Sequence, residues 1–526
     1  MAGLLSPPTP RASRAVLRPP GARVARWVVA VIVAGAIARF ALASAIGLGV
    51  DESYAAAVGR SLSWSYYDHP PLVFWIAALM ERAFGWQRDA VIRLPFIVLF
   101  CATTWLLYRL TARSFGERAG LYAAVLATII PVFGVSGGGW VLPDGPLMLG
   151  FVATALCVSH ATAEPTKPDA LGWWLGAGAS TGVALLSKYH AVFLIAGTLL
   201  FLSTTRSQRR WLARPEPYVA AAVAFIMALP VLVWNWQHHW ASLRFQTGRA
   251  GLQHGLHMTS LLQNIAGQSG YLLPWIWIPL VWVSVSAARR GPSDASRWLL
   301  VCLGAGPVLV FTLVSLGGSP GLPHWPAPGF LLLLPLAGDS LARLEQRGHG
   351  RMVTAYLATS AAIVFLLVAF AASQIATGWF SRRVPSLFAR GDPSLDAVDW
   401  SDVPAGLAAV GPAGQSPMVV AANWIDAAKL GAALPSDAII LCFNDDPRHF
   451  QFVIDQRRLV GANALVVLRS GRGAGADESR RRVSAYFRSL DSATTIQIHR
   501  GGHEALGLVV YRGTTLLRPY DVADHR

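Results

Sequence analysis

Charged residues are scarce in this chain. They make up 14% of its 526 residues, against roughly a quarter in an average soluble domain, and 54% of the residues are hydrophobic. Apolar runs recur at close to the ~20 residues that are needed to cross a bilayer. The composition therefore predicts a multi-span membrane protein. The alternative, a large soluble protein with many buried helices, does not require apolar runs of this length.

Cysteine is also rare, with four residues in the chain. Cys101, Cys157 and Cys302 fall inside apolar runs and Cys442 stands alone, so the spacing predicts neither a disulfide framework nor a zinc site. The sequence contains no P-loop, no dinucleotide-binding glycine signature and no internal repeat. We therefore expect no cofactor and assign no metal site, while leaving a divalent metal ion open.

Acidic residues are outnumbered by basic ones. Lys and Arg total 44, Asp and Glu total 28, and the formal net charge is +16. In a soluble protein this charge would indicate a nucleic acid partner. Here the arginines fall mostly in short segments between apolar runs, which is the positive-inside pattern of membrane proteins. The charge therefore indicates membrane orientation, and no nucleic acid partner is expected.

The apolar runs predict eleven membrane spans, with the N-terminus inside and the C-terminus outside. The predicted spans are 27–46, 91–108, 119–136, 145–163, 172–187, 190–204, 217–234, 268–286, 298–316, 325–341 and 352–374. Residues 1–26 predict a disordered cytoplasmic tail, 27–375 the transmembrane domain, and 235–262 a long outer loop. A cleaved signal peptide is the alternative for the first span, but its apolar part exceeds the ~7–15 residues of a signal core.

The segment Leu72–Phe84 is apolar but too short to cross the hydrocarbon core, so we predict an interfacial or re-entrant helix. Counting this segment as a span would place Asp144 inside. It would also place Arg109, Arg113 and Arg118 outside, against the positive-inside bias.

From about residue 376 the charge rises and the long apolar runs end. Residues 376–526 predict a small α/β domain on the outer, periplasmic face, and the alternative is a loosely packed tail. The predicted strands are Met418–Ala422, Ala438–Phe443 and Ala464–Arg469, with a helix at Trp424–Leu434 between the first two.

Two adjacent carboxylates, Asp51 and Glu52, follow the first span. Carboxylates at the mouth of a span are costly near hydrocarbon, which indicates function, although capping of the next helix is the alternative. Asp144, Lys188 and His190 fall at the same predicted membrane level. We therefore predict a polar cavity at the outer face, with Asp51 as the catalytic base and with Glu52 and Asp144 as further catalytic residues.

Other polar and aromatic residues at this level are candidates for substrate contacts. The candidates for binding a phosphate are His69, Lys188, Arg244 and His324. The candidates for other substrate contacts are Tyr66, Tyr67, Tyr189 and Trp325. Each has a structural alternative: an interfacial aromatic belt for the tyrosines and the tryptophan, a snorkelling helix end for Lys188, helix starts for the two histidines, and a solvated loop charge for Arg244.

The stretch from Gly49 to Trp75 places Asp51-Glu52 ahead of the run YYDHPPL, which begins at Tyr66. This combination resembles the polyprenyl-phosphate-sugar-dependent glycosyltransferases with the GT-C fold. It is similar to family 39, the protein O-mannosyltransferase-like family, whose bacterial members include lipid A aminoarabinose transferases. The sequences LPDGPL at 142–147, SKY at 187–189 and PHWPAP at 323–328 also look like this family. The resemblance covers roughly residues 27–345, with weaker similarity at 446–450.

The resemblance implies an inverting glycosyltransferase of the bacterial inner membrane. A sugar on a polyprenyl monophosphate would be presented at the outer leaflet, and Asp51 would take the proton from an acceptor hydroxyl. Cations or donors would stabilise the leaving phosphate. The acceptor could be lipid A, another lipid, a polysaccharide or a protein. The alternatives are a flippase for a lipid-linked sugar, which would show discontinuous helices and repeat symmetry, and a non-catalytic scaffold whose outer domain binds a partner.

Overall fold

The computed structural model describes residues 22–85, 89–163, 167–249, 255–318, 321–389, 391–411, 418–470 and 474–520. Most of the described chain before residue 378 is helical. Its helices are α1 (Ala22–Ala45), α2 (Val50–Gly59), α3 (Leu72–Phe84), α4 (Asp89–Phe115), α5 (Glu117–Ile129), α6 (Asp144–Ala163), α7 (Lys167–Ser187), α8 (Val192–Thr204), α9 (Glu216–Gln237), α10 (Ala241–Arg249), α11 (Met258–Leu272), α12 (Pro274–Arg290), α13 (Ala295–Leu313), α14 (Ala327–Leu344) and α15 (Gly350–Thr377).

The described part of the chain holds six helices long and apolar enough to cross a membrane, or seven if one bent pair counts as a single span. Each of the eleven predicted spans contains helix, but α5 and α8 have only 13 residues each. The predicted count of eleven is therefore not confirmed and stays a prediction.

One predicted span, 268–286, is broken rather than continuous. It covers the end of α11 and most of α12, which meet at a 107° bend. Leu273 at the bend has a φ of 71°, outside the helical region. Pro274 begins α12, and a proline disfavours helical geometry in the residue before it. The apolar run is uninterrupted in sequence, so hydropathy alone did not reveal the break.

Two other predicted boundaries were wrong. The helix α1 begins at Ala22, inside the predicted tail of 1–26, and residues 1–21 of that tail lie outside the described residues. The predicted loop 235–262 holds α10 and the start of α11. The predicted short helix at Leu72–Phe84 is confirmed as α3, while its position relative to the membrane stays a prediction.

The C-terminal part is a small domain of helices around one sheet, as predicted. Its helices are α16 (Trp379–Arg383), α17 (Val403–Ala408), α18 (Trp424–Ala433), α19 (Phe450–Val453) and α20 (Ala474–Ser484). Its strands are β1 (Met418–Ala421), β2 (Ile439–Cys442), β3 (Ala464–Arg469), β4 (Phe487–Arg500) and β5 (His503–Leu516). The strand order is β2-β1-β3-β5-β4, with β1 parallel to β2 and β3, and β5 antiparallel to β3 and β4.

The C-terminal domain packs directly on the segment that follows α1. A hydrophobic core joins α2 and α3 to the sheet and to α18. The contact is close, because a Cβ atom on Gly431 of α18 would lie 2.5 Å from the Cβ of Ala57 in α2. The Lys429 ammonium donates to the carbonyls of Leu48 and Val398. The two domains are therefore held together at the start of α2, where Asp51 lies.

Candidate active site

The start of α2 is fixed by a buried ion pair between Glu52 and Arg93 of α4. Arg93 donates from Nε to Oε1 of Glu52 at 2.7 Å and from Nη2 to Oε2 at 2.6 Å. Oε2 also accepts from the N–H of Gly49 at 2.8 Å, and Oε1 accepts from the N–H of Val141 at 3.0 Å. Every oxygen of this carboxylate is occupied, so Glu52 ties together three segments of the chain.

Asp51 differs from its neighbour because its carboxylate faces an open cavity. Within the described part of the chain, no hydrogen bond or ion pair involves the Asp51 side chain. Protein surrounds the cavity, and this burial raises the pKa of Asp51, while the charges of Arg448 and Lys188 oppose the rise. An unpartnered carboxylate with a raised pKa is suited to accepting a proton from a substrate.

The cavity has a volume of about 630 Å³ and is lined both by residues of the helical part and by residues of the C-terminal domain. This is the size of a site for a substantial organic ligand. Its polar lining residues include Asp51, Glu52, Asp68, His69, Arg93, Asp144, Lys188, Arg249, His324 and Arg448. Its apolar lining residues include Val132, Met148, Leu322, Trp325 and Ile375. Asp51 and Asp144 thus share one cavity, as predicted.

Asp144 begins α6 and forms a buried ion pair with Lys188, which lies just before the short 3-10 turn Tyr189–Ala191. The Lys188 ammonium lies 3.0 Å from Oδ1 and 3.1 Å from Oδ2 of Asp144. Because both oxygens of Asp144 contact the same ammonium, the negative charge of this carboxylate is already compensated. This pair therefore presents an ammonium with remaining N–H donors to the cavity, near Asp51.

Two of the predicted histidines line the same cavity. Burial, together with the nearby ammonium of Lys188, lowers the pKa of His69 to about 3 and that of His324 to about 4. Both imidazoles are therefore neutral near pH 7. The Nδ1 atom of His69 is buried and has no hydrogen-bond partner among the described residues. These side chains can offer hydrogen bonds to a ligand but no positive charge.

The C-terminal domain contributes Arg448 to the cavity. This residue has a φ of 51°, a conformation that is uncommon for a residue other than glycine. Its guanidinium lies 4.4 Å from the ring centre of Trp424 and 5.0 Å from that of Phe245. It also lies 3.8 Å from Asp68 and 2.9 Å from Asp446. Rings and carboxylates thus hold a cation in place above the membrane domain.

A hydrogen-bonded chain connects Arg448 to the membrane domain. The Tyr54 hydroxyl donates to Asp68 at 2.9 Å and accepts from the N–H of His449 at 3.0 Å. The Nδ1 atom of His449 accepts from the N–H of Tyr67 at 3.1 Å. Burial raises the pKa of Asp68 to about 6, against the opposing charge of Arg448. This network fixes the position of Arg448 relative to α2.

Four predicted site residues do not line the cavity. Tyr66 is buried and stacks on Phe74, and its hydroxyl donates to the carbonyl of Ser61 at 3.2 Å. Tyr67 packs on Phe245 and Phe452. The Tyr189 hydroxyl bonds to Ser242 at 2.7 Å. Arg244 is exposed and donates to the carbonyl of His239. The three tyrosines thus pack outside the cavity lining, and Arg244 lies at the protein surface.

Sequence reasoning gave too little weight to three arginines. Arg249 lines the cavity, 5.3 Å from the ring of Trp325, whereas Arg244, one and a half turns earlier on α10, does not. Arg93 lies within an apolar run, and an intramembrane arginine was a usable signal of a buried partner. Arg448 was noticed only as part of a weak motif, because nothing in sequence indicates that a distant domain reaches the cavity.

No group of three or more His, Cys, Asp or Glu side chains in the described ranges is arranged to hold a metal ion. A reaction without a metal ion stays a prediction.

Comparison with known proteins supports the resemblance predicted from the sequence. Residues 68–234 match a family described as dolichyl-phosphate-mannose-protein mannosyltransferase. Lipid A galacturonosyltransferase RgtD of Rhizobium johnstonii is 29% identical over 265 residues, which are 50% of this chain and 54% of that protein. Lipopolysaccharide core galacturonosyltransferase RgtB of the same organism is 25% identical over 328 residues, which are 59% of this chain and 64% of that protein. The matches thus span about half to just under two thirds of these relatives.

Solved structures show the same fold over nearly the whole chain. The apo crystal structure of ArnT from Cupriavidus metallidurans has a TM-score of 0.64 at 15% identity, covering 94% of this chain and 100% of that chain. The structure of that protein bound to undecaprenyl phosphate has a TM-score of 0.62 at 17% identity, covering 94% and 99%. The predicted GT-C fold with a small C-terminal α/β domain is therefore confirmed, as is the resemblance to GT-C glycosyltransferases.

Proposed function

We propose that this protein is an inverting membrane glycosyltransferase, which moves a sugar from a polyprenyl-phosphate donor to a hydroxyl acceptor. The observation that carries this proposal is the placement of an unpartnered Asp51 carboxylate in one cavity with the ammonium of Lys188. A base and a cation at one site are what a reaction needs when it deprotonates a hydroxyl and releases a phosphate. The similarity to glycosyltransferases supports the same reaction class.

Asp51 would act as the general base. The acceptor hydroxyl oxygen forms a bond to the anomeric carbon of the sugar while its proton passes to Asp51. The bond from that carbon to the phosphate oxygen breaks on the opposite face, so the configuration inverts. General base catalysis of this kind contributes typically about 10²–10⁴-fold to a rate.

The leaving polyprenyl phosphate gains negative charge, and Lys188 is placed to stabilise it. Asp144 would hold that ammonium in position rather than take a proton itself, because both of its oxygens face the lysine. Arg249 supplies a second cation in the cavity wall. The neutral imidazoles of His69 and His324 would donate hydrogen bonds to phosphate oxygens.

Glu52 would be a positioning residue rather than a base. Its oxygens accept four hydrogen bonds, from Arg93 and from the backbone of Gly49 and Val141, so none is left for a substrate. Replacing one partner of a buried pair such as this typically destabilises a protein by about 3–5 kcal/mol. Loss of Glu52 would therefore displace Asp51 as well as lower stability.

The sugar would be a uronic acid, and the acceptor an envelope lipid such as lipid A or its core saccharide. The relatives RgtD and RgtB are named as galacturonosyltransferases, for lipid A and for the lipopolysaccharide core. Arg448 faces the cavity with a rigid guanidinium, the group that recognises carboxylates in a bidentate manner. The protein would lie in the bacterial inner membrane with the cavity and C-terminal domain on the periplasmic side.

Purified protein incubated with polyprenyl-phosphate galacturonate and lipid A tests this proposal. We expect free polyprenyl phosphate and galacturonosylated lipid A in equal amounts. Transfer of the intact donor across a vesicle membrane, with no free polyprenyl phosphate, would instead identify a flippase.

The same assay tests the role of Arg448. We expect Arg448→Gln to lower kcat/KM for the uronate donor by about 10–100-fold, the loss of one charge-assisted hydrogen bond. Activity with the matching neutral galactose donor should change much less. The exposed Arg457→Gln, in the same domain, serves as a control and should leave both values unchanged. Equal losses with both donors would show that Arg448 does not recognise the carboxylate of the sugar.

A further inference from the structure

A second groove lies at the end of the helical bundle opposite the candidate active site. It has a volume of about 360 Å³ and is bounded by the last turns of α12 and α14 and the first turn of α13. The helix α14 begins at Ala327, close to Trp325 in the active-site cavity, and reaches Arg343 in this groove. At 1.5 Å per residue the two sites are about 24 Å apart along that helix.

Four arginines line this groove: Arg290, Arg297, Arg343 and Arg347. Arg297 pairs with Asp294 and Asp339, and Arg343 pairs with Asp339 at 3.0 Å. The side chains of Arg290 and Arg347 are exposed and form no hydrogen bond or ion pair with a described residue. Four arginines therefore face two carboxylates, which leaves an excess of positive charge inside a concave site.

The groove is also partly apolar. Trp282 and Val283 line it about two turns before Arg290, and Leu336 lines it from α14. The Trp282 side chain is 72% exposed although it lies on an apolar helix. A ligand in this groove would thus meet cations at one end and hydrocarbon-compatible surface at the other. This combination matches an amphipathic anion and not a free, fully hydrated phosphate.

We propose that this groove binds the headgroup of an anionic phospholipid of the surrounding membrane, with an acyl chain along Trp282. Positive charge at the end of a membrane bundle attracts anionic lipid headgroups, and basic pockets between spanning helices bind them. Arg290 and Arg347 supply the charge for the phosphate, while Asp339 holds Arg297 and Arg343 in fixed positions at the base of the groove. This site is independent of the sugar-transfer chemistry.

Native mass spectrometry of the full-length protein, released from membranes of phosphatidylcholine with phosphatidylglycerol, tests this proposal. The wild-type protein should retain phosphatidylglycerol preferentially. The double variant Arg290→Gln/Arg347→Gln should weaken that retention about fivefold for each arginine removed. Neither side chain has a partner among the described residues, so the fold should remain unchanged.

The matched control is Arg289→Gln/Arg351→Gln, which removes two exposed arginines at the same end of the bundle that do not line the groove. The control should retain phosphatidylglycerol like the wild type, and added inorganic phosphate should not displace the lipid. An equal loss in both double variants would show general attraction to positive charge and would overturn the proposal. Displacement by inorganic phosphate would assign the groove to a free anion and overturn it too.

Discussion

Adjacent side chains with the same chemistry have opposite environments at the start of α2. Glu52 turns into the protein and meets Arg93, whereas Asp51 turns into the cavity and meets no donor among the described residues. The sequence predicted the importance of this pair from its place after an apolar run. It did not show that Glu52 holds the helix start in place while Asp51 faces the cavity, because the partner of Glu52 lies on another helix, 41 residues along the chain.

The raised pKa of Asp51 predicts the pH dependence of the reaction. Only the deprotonated carboxylate can accept a proton, so kcat/KM should fall as the pH falls through the pKa of Asp51. Burial raises that pKa, so the acidic limb should lie above about pH 4, where an ordinary aspartate titrates. A profile of kcat/KM against pH measures it.

The buried histidines should add no limb of their own near neutral pH, because burial lowers the pKa of His69 and His324 to about 3 and 4. An acidic limb at or below pH 4 would contradict the assignment of Asp51, whose pKa the cavity raises, as the base. A limb near pH 6.5 in the wild-type protein that is lost in the His324→Gln variant would show that His324 titrates there, and would contradict its lowered pKa.

At the scale of elements, helices and strands with strong local signals were predictable and their junctions were not. The strands β1, β2 and β3 and the helix α18 were confirmed because each combines an apolar run with flanking turn residues. The hairpin of β4 and β5 was missed. Its strands mix polar and apolar residues, as is usual in a hairpin at the edge of a sheet with one face exposed.

The contact between α2 and α18 depends on the absence of one Cβ atom. We expect Gly431→Ala to destabilise the protein by about 1–3 kcal/mol, because the new methyl group would lie 2.5 Å from the Cβ of Ala57. The displacement should also lower transfer activity, since α2 carries Asp51. Thermal unfolding in detergent and the transfer assay measure the two effects.

A second substitution separates this contact from a local effect on α18. Ala57→Gly removes the atom that the new methyl group would meet. The double variant should therefore be no less stable than Ala57→Gly alone. If Gly431→Ala lowers stability by the same amount in both backgrounds, the two residues do not interact and the contact is not responsible.

At the scale of the whole molecule, the cavity exists because two domains meet over the ends of the helices. Asp51, Asp144 and Lys188 come from the helical part, and Arg448 comes from the C-terminal domain. The sequence predicted that these parts share one side of the membrane, from the bias of arginines toward the other side. It could not predict the contact itself, because neither the core around α2 nor the insertion of Arg448 has a local signal.

The arrangement predicts a topology with the C-terminal domain outside and the arginine-lined groove inside. Alkaline phosphatase, which is active only outside the cytoplasm, should be active when it is fused after Arg526. A fluorescent protein fused before Met1 should fluoresce, because the N-terminus is predicted to be cytoplasmic. An inactive C-terminal fusion in a stably inserted protein would place Asp51 on the cytoplasmic side, since that domain packs on α2.

The most direct test of the account is polyprenyl phosphate release by the Asp51→Asn variant. Asparagine keeps the size of the side chain and removes the base, so we expect release to fall by about 10²–10⁴-fold while the thermal stability is retained. Asp399→Asn, which changes an exposed carboxylate outside the cavity, should release polyprenyl phosphate at the wild-type rate. Release by Asp51→Asn at a rate close to wild type would contradict the claim that Asp51 is the catalytic base.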